Sequence, residues 1–149
     1  MRPMSLTSVL LLSVCAAALA DDQSNRQKLI GSWELQSPAE STPGISWTFL
    51  ATGHSMRVKQ LAGGNKIADF ECETEGTPCE IKTGGKKATV SLWFNGAMLV
   101  EMETKGTEIV KRRFEILPAS DSMEMEVIPI VPSGKTETFG FKRAQLASR

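Results

Sequence analysis

Apolar and polar residues alternate with a period of two along most of this chain. Ile45, Trp47 and Phe49 share one face of a segment whose other face carries Ser46 and Thr48. Met56 and Val58 oppose Arg57 and Lys59, and Ala68, Phe70 and Cys72 oppose Asp69, Glu71 and Glu73. Val90, Leu92 and Phe94 form another apolar face, and Trp93, of opposite parity, is the outward aromatic of that segment. Met98, Val100 and Met102 are assigned to the buried face against Glu101 and Glu103, Met123, Met125 and Val127 against Glu124 and Glu126, and Phe139 and Phe141 against Thr138 and Gly140. This pattern predicts strands with one wet and one buried face, because successive side chains on a strand point to opposite sides.

Turn residues punctuate the alternation. Thr52-Gly53, Gly63-Gly64, Glu75-Gly76, Gly84-Gly85, Asn95-Gly96, Lys105-Gly106, Ala119 to Ser122 and Ser133-Gly134 divide it into hairpin-length pieces. Asn95-Gly96 is the strongest of them, since both residues tolerate the positive φ of a tight hairpin. Strands are expected to begin near Ile30, Ile45, Ser55, Lys66, Cys79, Lys87, Ala97, Thr107, Ser122 and Lys135. A short helix is expected over Asp22 to Leu29, and Pro38 to Gly44 is the one long connection. Sequential hairpins make a meander, and a long meander is stabilised by closing on itself, which removes unpaired edges. The expected fold is all-β: one antiparallel up-and-down barrel of about ten strands, closed or incomplete.

The N-terminus does not share this pattern. Arg2 is followed by the uncharged apolar run Val9 to Ala20, then by Ala18-Leu19-Ala20 and the acidic pair Asp21-Asp22. That order predicts a secretory signal peptide over residues 1–20 and a barrel domain over 21–149. The run falls short of the ~20 apolar residues a spanning helix needs. Val14 stands before Cys15 where a lipid-modified leader wants a small residue. The chain carries 17 Lys+Arg and 17 Asp+Glu, and the leader takes only Arg2 with it. So even a balance excludes the basic excess of a nucleic-acid binder. No later segment is apolar enough to cross a membrane as a helix. Cys72 and Cys79 remain after the leader, and an even count in an exported chain predicts a disulfide, with two free thiols as the alternative. A two-residue Glu75-Gly76 turn would place them opposite on paired strands.

Leu29-Ile30-Gly31-Ser32-Trp33 opens the meander, and Phe139-Gly140-Phe141-Lys142-Arg143 ends it. The Gly-x-Trp start resembles the lipocalin (calycin) signature. Glu75-Gly76-Thr77-Pro78, Ala88 to Leu92 and Lys111-Arg112-Arg113-Phe114 resemble uncharacterised exported bacterial lipocalin-like proteins. The resemblance implies a barrel closed at one end by Trp33, a basic residue of the last strand packed across it, and a small apolar ligand. Arg143 shares a face with Phe139 and Phe141 and is that basic residue. A bacterial host is implied, with export to the periplasm or beyond it.

The candidate ligand-binding residues are Trp47, Phe49, Phe70, Phe94, Met98, Met102, Arg112, Met123 and Met125. Flexible methionines suit an adaptable apolar pocket, although the same residues would equally fill a solid barrel. Arg112 alternates with Val110 and Phe114, so it points inward with them or outward if the face is reversed; an inward guanidinium demands a partner, such as a ligand carboxylate. No catalytic residues stand out. His54, the only histidine, falls at a hairpin tip, and no nucleophile elbow is present. Metal and cofactor sites are not expected: Asp69, Glu71, Glu73 and Glu75 lie ~7 Å apart in succession, too spread for one ion, and the glycine pairs at Gly63 and Gly84 lack phosphate-loop spacing. The expected function is an exported protein that binds a small apolar or amphipathic molecule. The alternative is a structural or protein-binding β-module with a filled core.

Overall fold

The alternating segments form ten strands in the computed structural model, which describes residues 23–36, 44–118 and 121–145. They are β1 (Gly31–Leu35), β2 (Ile45–Thr52), β3 (Ser55–Ala62), β4 (Asn65–Glu73), β5 (Cys79–Thr83), β6 (Lys86–Asn95), β7 (Met98–Lys105), β8 (Glu108–Ile116), β9 (Ser122–Val131) and β10 (Glu137–Arg143). The expected leader and its cleavage site, most of the long connection at 38–43, and the chain after Gln145 lie outside the described residues. A helix at residues 23–28 precedes β1. No helix among the described residues is long and apolar enough to cross a membrane.

Each strand pairs antiparallel with its sequence neighbours, and β1 pairs with β10, so the meander closes into a complete barrel. The turns fall where glycine permits positive φ, offset by one residue in places. Gly96 (φ 62°) begins the β6–β7 turn, so Asn95 ends a strand opposite Met98 instead of occupying the turn itself. The two ends of the barrel differ. At the lower end lie the helix, the turn at His54, the β6–β7 turn and the β8–β9 loop; the upper end carries the β3–β4, β5–β6 and β7–β8 turns.

One seam is thin. β4 and β5 share a single paired position, Ala68 with Thr83. That register, continued four residues along each strand, puts Cys72 opposite Cys79, and the two form a disulfide across the seam with Cα atoms 6.1 Å apart. The expected hairpin at Glu75-Gly76 is not a tight turn, however. The Gly76 N–H donates to the Leu92 carbonyl and Glu75 bridges to Trp93, so this connection pairs with β6 rather than folding back on β4.

Most inward side chains of the lower half are buried, with Phe70, Cys79, Phe94 and Ile116 only partly so. Trp33, Phe49, Val58, Leu92, Leu99, Phe114, Met123 and Phe141 are fully buried. Each such side chain stabilises the fold by roughly 1.5–3 kcal/mol relative to exposure. Trp47 and Phe49 of β2 reach across the interior to Phe114 of β8, with ring centroids 5.1 and 5.0 Å apart in edge-to-face contact.

Candidate functional site

The Gly-x-Trp segment builds the lower closure. Trp33 Nε1 donates to the Leu29 carbonyl (2.9 Å), which ties the ring to the end of the helix. Arg143, paired with Trp33 on β10, lies with its guanidinium carbon 4.3 Å from the ring centroid. Its Nη1 and Nη2 donate to the carbonyls of Ile30 and Lys28. Gly31 makes room for this arrangement: its φ is 130°, and a Cβ there would meet Arg143 Nη1 at 2.7 Å. Arg26 of the helix sits over the Phe94 ring at 4.6 Å and donates to the Gly96 carbonyl, which seals the neighbouring rim.

Above the Trp47–Phe49–Phe114 contact, burial thins out. The inward residues Leu35, Ile45, Gln60, Val110, Val127 and Phe139 are only partly buried, although they share faces with fully buried residues lower on the same strands. Across the barrel, Ala68, Thr83 and Ala88 remain buried. The partly buried inward positions thus gather on β1–β3 and β8–β10, above Trp47 and Arg112.

Arg112 faces inward beside Val110 and Phe114. Its Nη1 lies 2.6 Å from Glu101 Oε1 and 3.7 Å from Glu103 Oε2, and its guanidinium carbon is 5.9 Å from the Trp47 ring centroid. The partner that a buried guanidinium demands is thus supplied by β7 of the same chain. Glu101 is only 2 % exposed, and burial pushes its carboxyl above the ordinary glutamate range, with Arg112 opposing this. For Arg112, burial works to lower the pKa but the two carboxylates outweigh it and hold the guanidinium charged. The pair is therefore asymmetric: the arginine keeps its charge, while Glu101 takes up a proton at higher pH than an ordinary glutamate does. Glu101 Oε2 and Trp47 Nε1 are buried with no hydrogen-bond partner among the described residues.

The β7 face assignment requires correction. Met98 and Met102 do not join the interior; they lie with Val100 on the outer face, where Met98 Sδ accepts from Arg113 Nε and Val100 pairs with Trp93. Leu99, Glu101 and Glu103 point inward instead. The cause is hairpin geometry: residues directly opposite share a face, so an inward Phe94 forces its partner Leu99 inward. Glu101 and Glu103 were missed because charge suggested solvent. The signal that finds them is Arg112, which pairs directly with Glu101 across a tight turn.

The other candidates are dispersed. Trp47 is buried in the interior against Phe114, and Phe49, Met123 and Met125 are buried beneath or beside it. Phe70 is half-buried next to the thin seam, and Phe94 is at the helix-covered rim. Trp93 is half-buried on the outer face. His54 is exposed in a turn. Asp69 is engaged by Arg57 at 3.0 Å, and no group of three metal-ligating side chains gathers among the described residues.

No family model and no curated protein matches this chain. Solved structures do match its fold. A fatty acid binding protein of Schistosoma mansoni in complex with arachidonic acid superposes with a TM-score of 0.67 at 15% identity, covering 81% of this chain and 99% of that one. An abundant heat soluble (SAHS) protein of Ramazzottius varieornatus gives 0.67 at 9% identity over 78% and 96% of the two chains. The REP1-NXSQ fatty acid transporter gives 0.66 at 17% identity over 80% and 98%. The chain is thus a closed ten-stranded antiparallel barrel with the fold of these fatty-acid-binding and heat-soluble proteins. At these identities the likeness establishes the fold.

Proposed function

We propose that this chain is an exported carrier that takes a small apolar or amphipathic molecule into the upper half of its barrel. The observation that carries this reading is the loss of burial along the inner face. The same strands bury Trp33, Phe49, Phe114, Met123 and Phe141 completely below Trp47 and leave apolar side chains partly uncovered above it. A folded chain leaves such a surface inside a barrel when something else covers it. Trp47 and Arg112 form the base of the proposed site, with Leu35, Ile45, Val110, Val127 and Phe139 as its walls. The fatty acid transporter and the fatty acid binding protein of like fold agree with this reading. Export, to the periplasm of a bacterial host or outside the cell, rests on the leader pattern and agrees with the disulfide.

The filled-core alternative has its own support in the aromatic contact between β2 and β8, which leaves no room in the lower half. A titration with the neutral apolar dye Nile red separates the two. Saturable fluorescence, displaced by an apolar-tailed amphiphile and abolished by Val127→Trp without loss of thermal stability, is expected of the carrier. No saturable binding identifies the solid module.

A further inference from the structure

The charges inside the upper half do not make a receptor for an anion. Arg112 is the one cation at the base, and Glu101 and Glu103 already stand at 2.6 and 3.7 Å from it. At the rim, Lys86 and Lys105 share the inner face with Glu108 and Glu137, so no positive excess arises there either. If Glu101 holds a proton, Glu103 still compensates the guanidinium. A carboxylate brought to this base would lose its water and find no free cation, and buried charge without a partner is strongly disfavoured.

The unmet polar groups at the base are of a different kind. Trp47 Nε1 is a donor without an acceptor, and the second oxygen of Glu101 is an acceptor without a donor. Both belong to side chains in direct contact with the same guanidinium or ranged over it. A neutral hydroxyl or amide both donates and accepts, and so complements this pair without adding charge.

Resting on the carrier reading, we infer that the site selects amphiphiles with a neutral hydrogen-bonding head, a long-chain alcohol or amide, over fatty carboxylates. Glu101 and Glu103 are the residues that set this preference, by occupying Arg112.

The test compares chain-matched probes, dodecanol and dodecanoate, as competitors of a bound apolar dye on the native protein near neutral pH. Dodecanol is expected to bind about tenfold tighter or better, the scale of one poorly compensated charge. Replacing Glu101→Gln and Glu103→Gln together frees the guanidinium and should raise the relative affinity for dodecanoate by about tenfold, each single replacement by less. Circular dichroism checks that each variant is folded. Equal or tighter binding of dodecanoate to the unaltered protein overturns the inference and leaves the pocket standing, as does an unchanged ratio in the folded double variant. Failure of both probes to displace the dye, or of the dye to bind, overturns the carrier reading and the inference together.

Discussion

Arg112 and Glu101 face each other across the β7–β8 ladder and meet at 2.6 Å inside the barrel, one nearly and one wholly removed from water. Breaking such a pair leaves an uncompensated group indoors. Arg112→Leu alone should cost about 3–5 kcal/mol, Glu101→Leu less because Glu103 stays 3.7 Å from the guanidinium, and the double replacement less than Arg112→Leu, because an apolar pair of similar volume replaces the ion pair at little penalty. Urea denaturation of the three variants measures this. An Arg112→Leu loss no larger than the double loss would contradict a tightly coupled pair.

The same pair gives stability a pH dependence. Burial raises the Glu101 carboxyl above its ordinary range, so the folded chain keeps a proton that the unfolded chain releases. The contribution is full below the ordinary glutamate range and is lost as pH rises through the raised folded value. The stability of the native protein relative to Glu101→Gln should therefore fall with rising pH across that window. A flat difference would show that Glu101 titrates alike in both states.

Gly31 and Arg143 form a second coupled pair, at the lower closure. Gly31→Ala places a methyl group 2.7 Å from Arg143 Nη1 at a φ of 130°. The substitution should destabilise the fold by about 1–3 kcal/mol, the scale of strained backbone. In an Arg143→Ala background the clash is gone and only the backbone strain remains, so the cost should shrink. Equal costs in the two backgrounds would mean that Arg143 is not held where it lies over Trp33.

The disulfide bears on the weakest stretch of the wall. Cys72 and Cys79, separated by 7 in sequence, cross the seam where β4 and β5 share one paired position. Replacing both with serine should cost about 2.5 kcal/mol from chain entropy alone. It should also speed amide exchange in β4 and β5 ahead of the other strands. Uniform acceleration across all ten strands would place the effect elsewhere.

The closed meander was legible because its hairpins are marked twice, by alternation and by glycine turns. The expected starts at Ile45, Ser55, Cys79 and Ser122 coincide with the observed ones, and the others differ by one or two residues. Those small differences arise at turns such as Gly96, where the glycine opens the turn rather than closing it. The site was less legible. In Met98-Leu99-Val100-Glu101-Met102-Glu103, polarity argues for one face and the hairpin partner Phe94 argues for the other. Pairing prevailed, because a one-residue slip would have broken every contact with β6, and Arg112 made an inward Glu101 tolerable. The outer face in turn covers its own apolar residues: Val100 is 2 % exposed on the outside of the barrel, beside Trp93 and Arg113. The loss of burial in the upper half left no local signature, since it depends on how far opposite walls reach across the interior.

Methyl-resolved NMR of the native protein titrated with dodecanol places the ligand without any substitution. The methyl groups of Leu35, Ile45, Val110 and Val127 should shift in a saturable, concerted way while those of Leu29, Leu92 and Leu99 stay in place. Shifts confined to outer-face residues such as Ile130 and Val131, or none at all, would contradict an upper-half binding site.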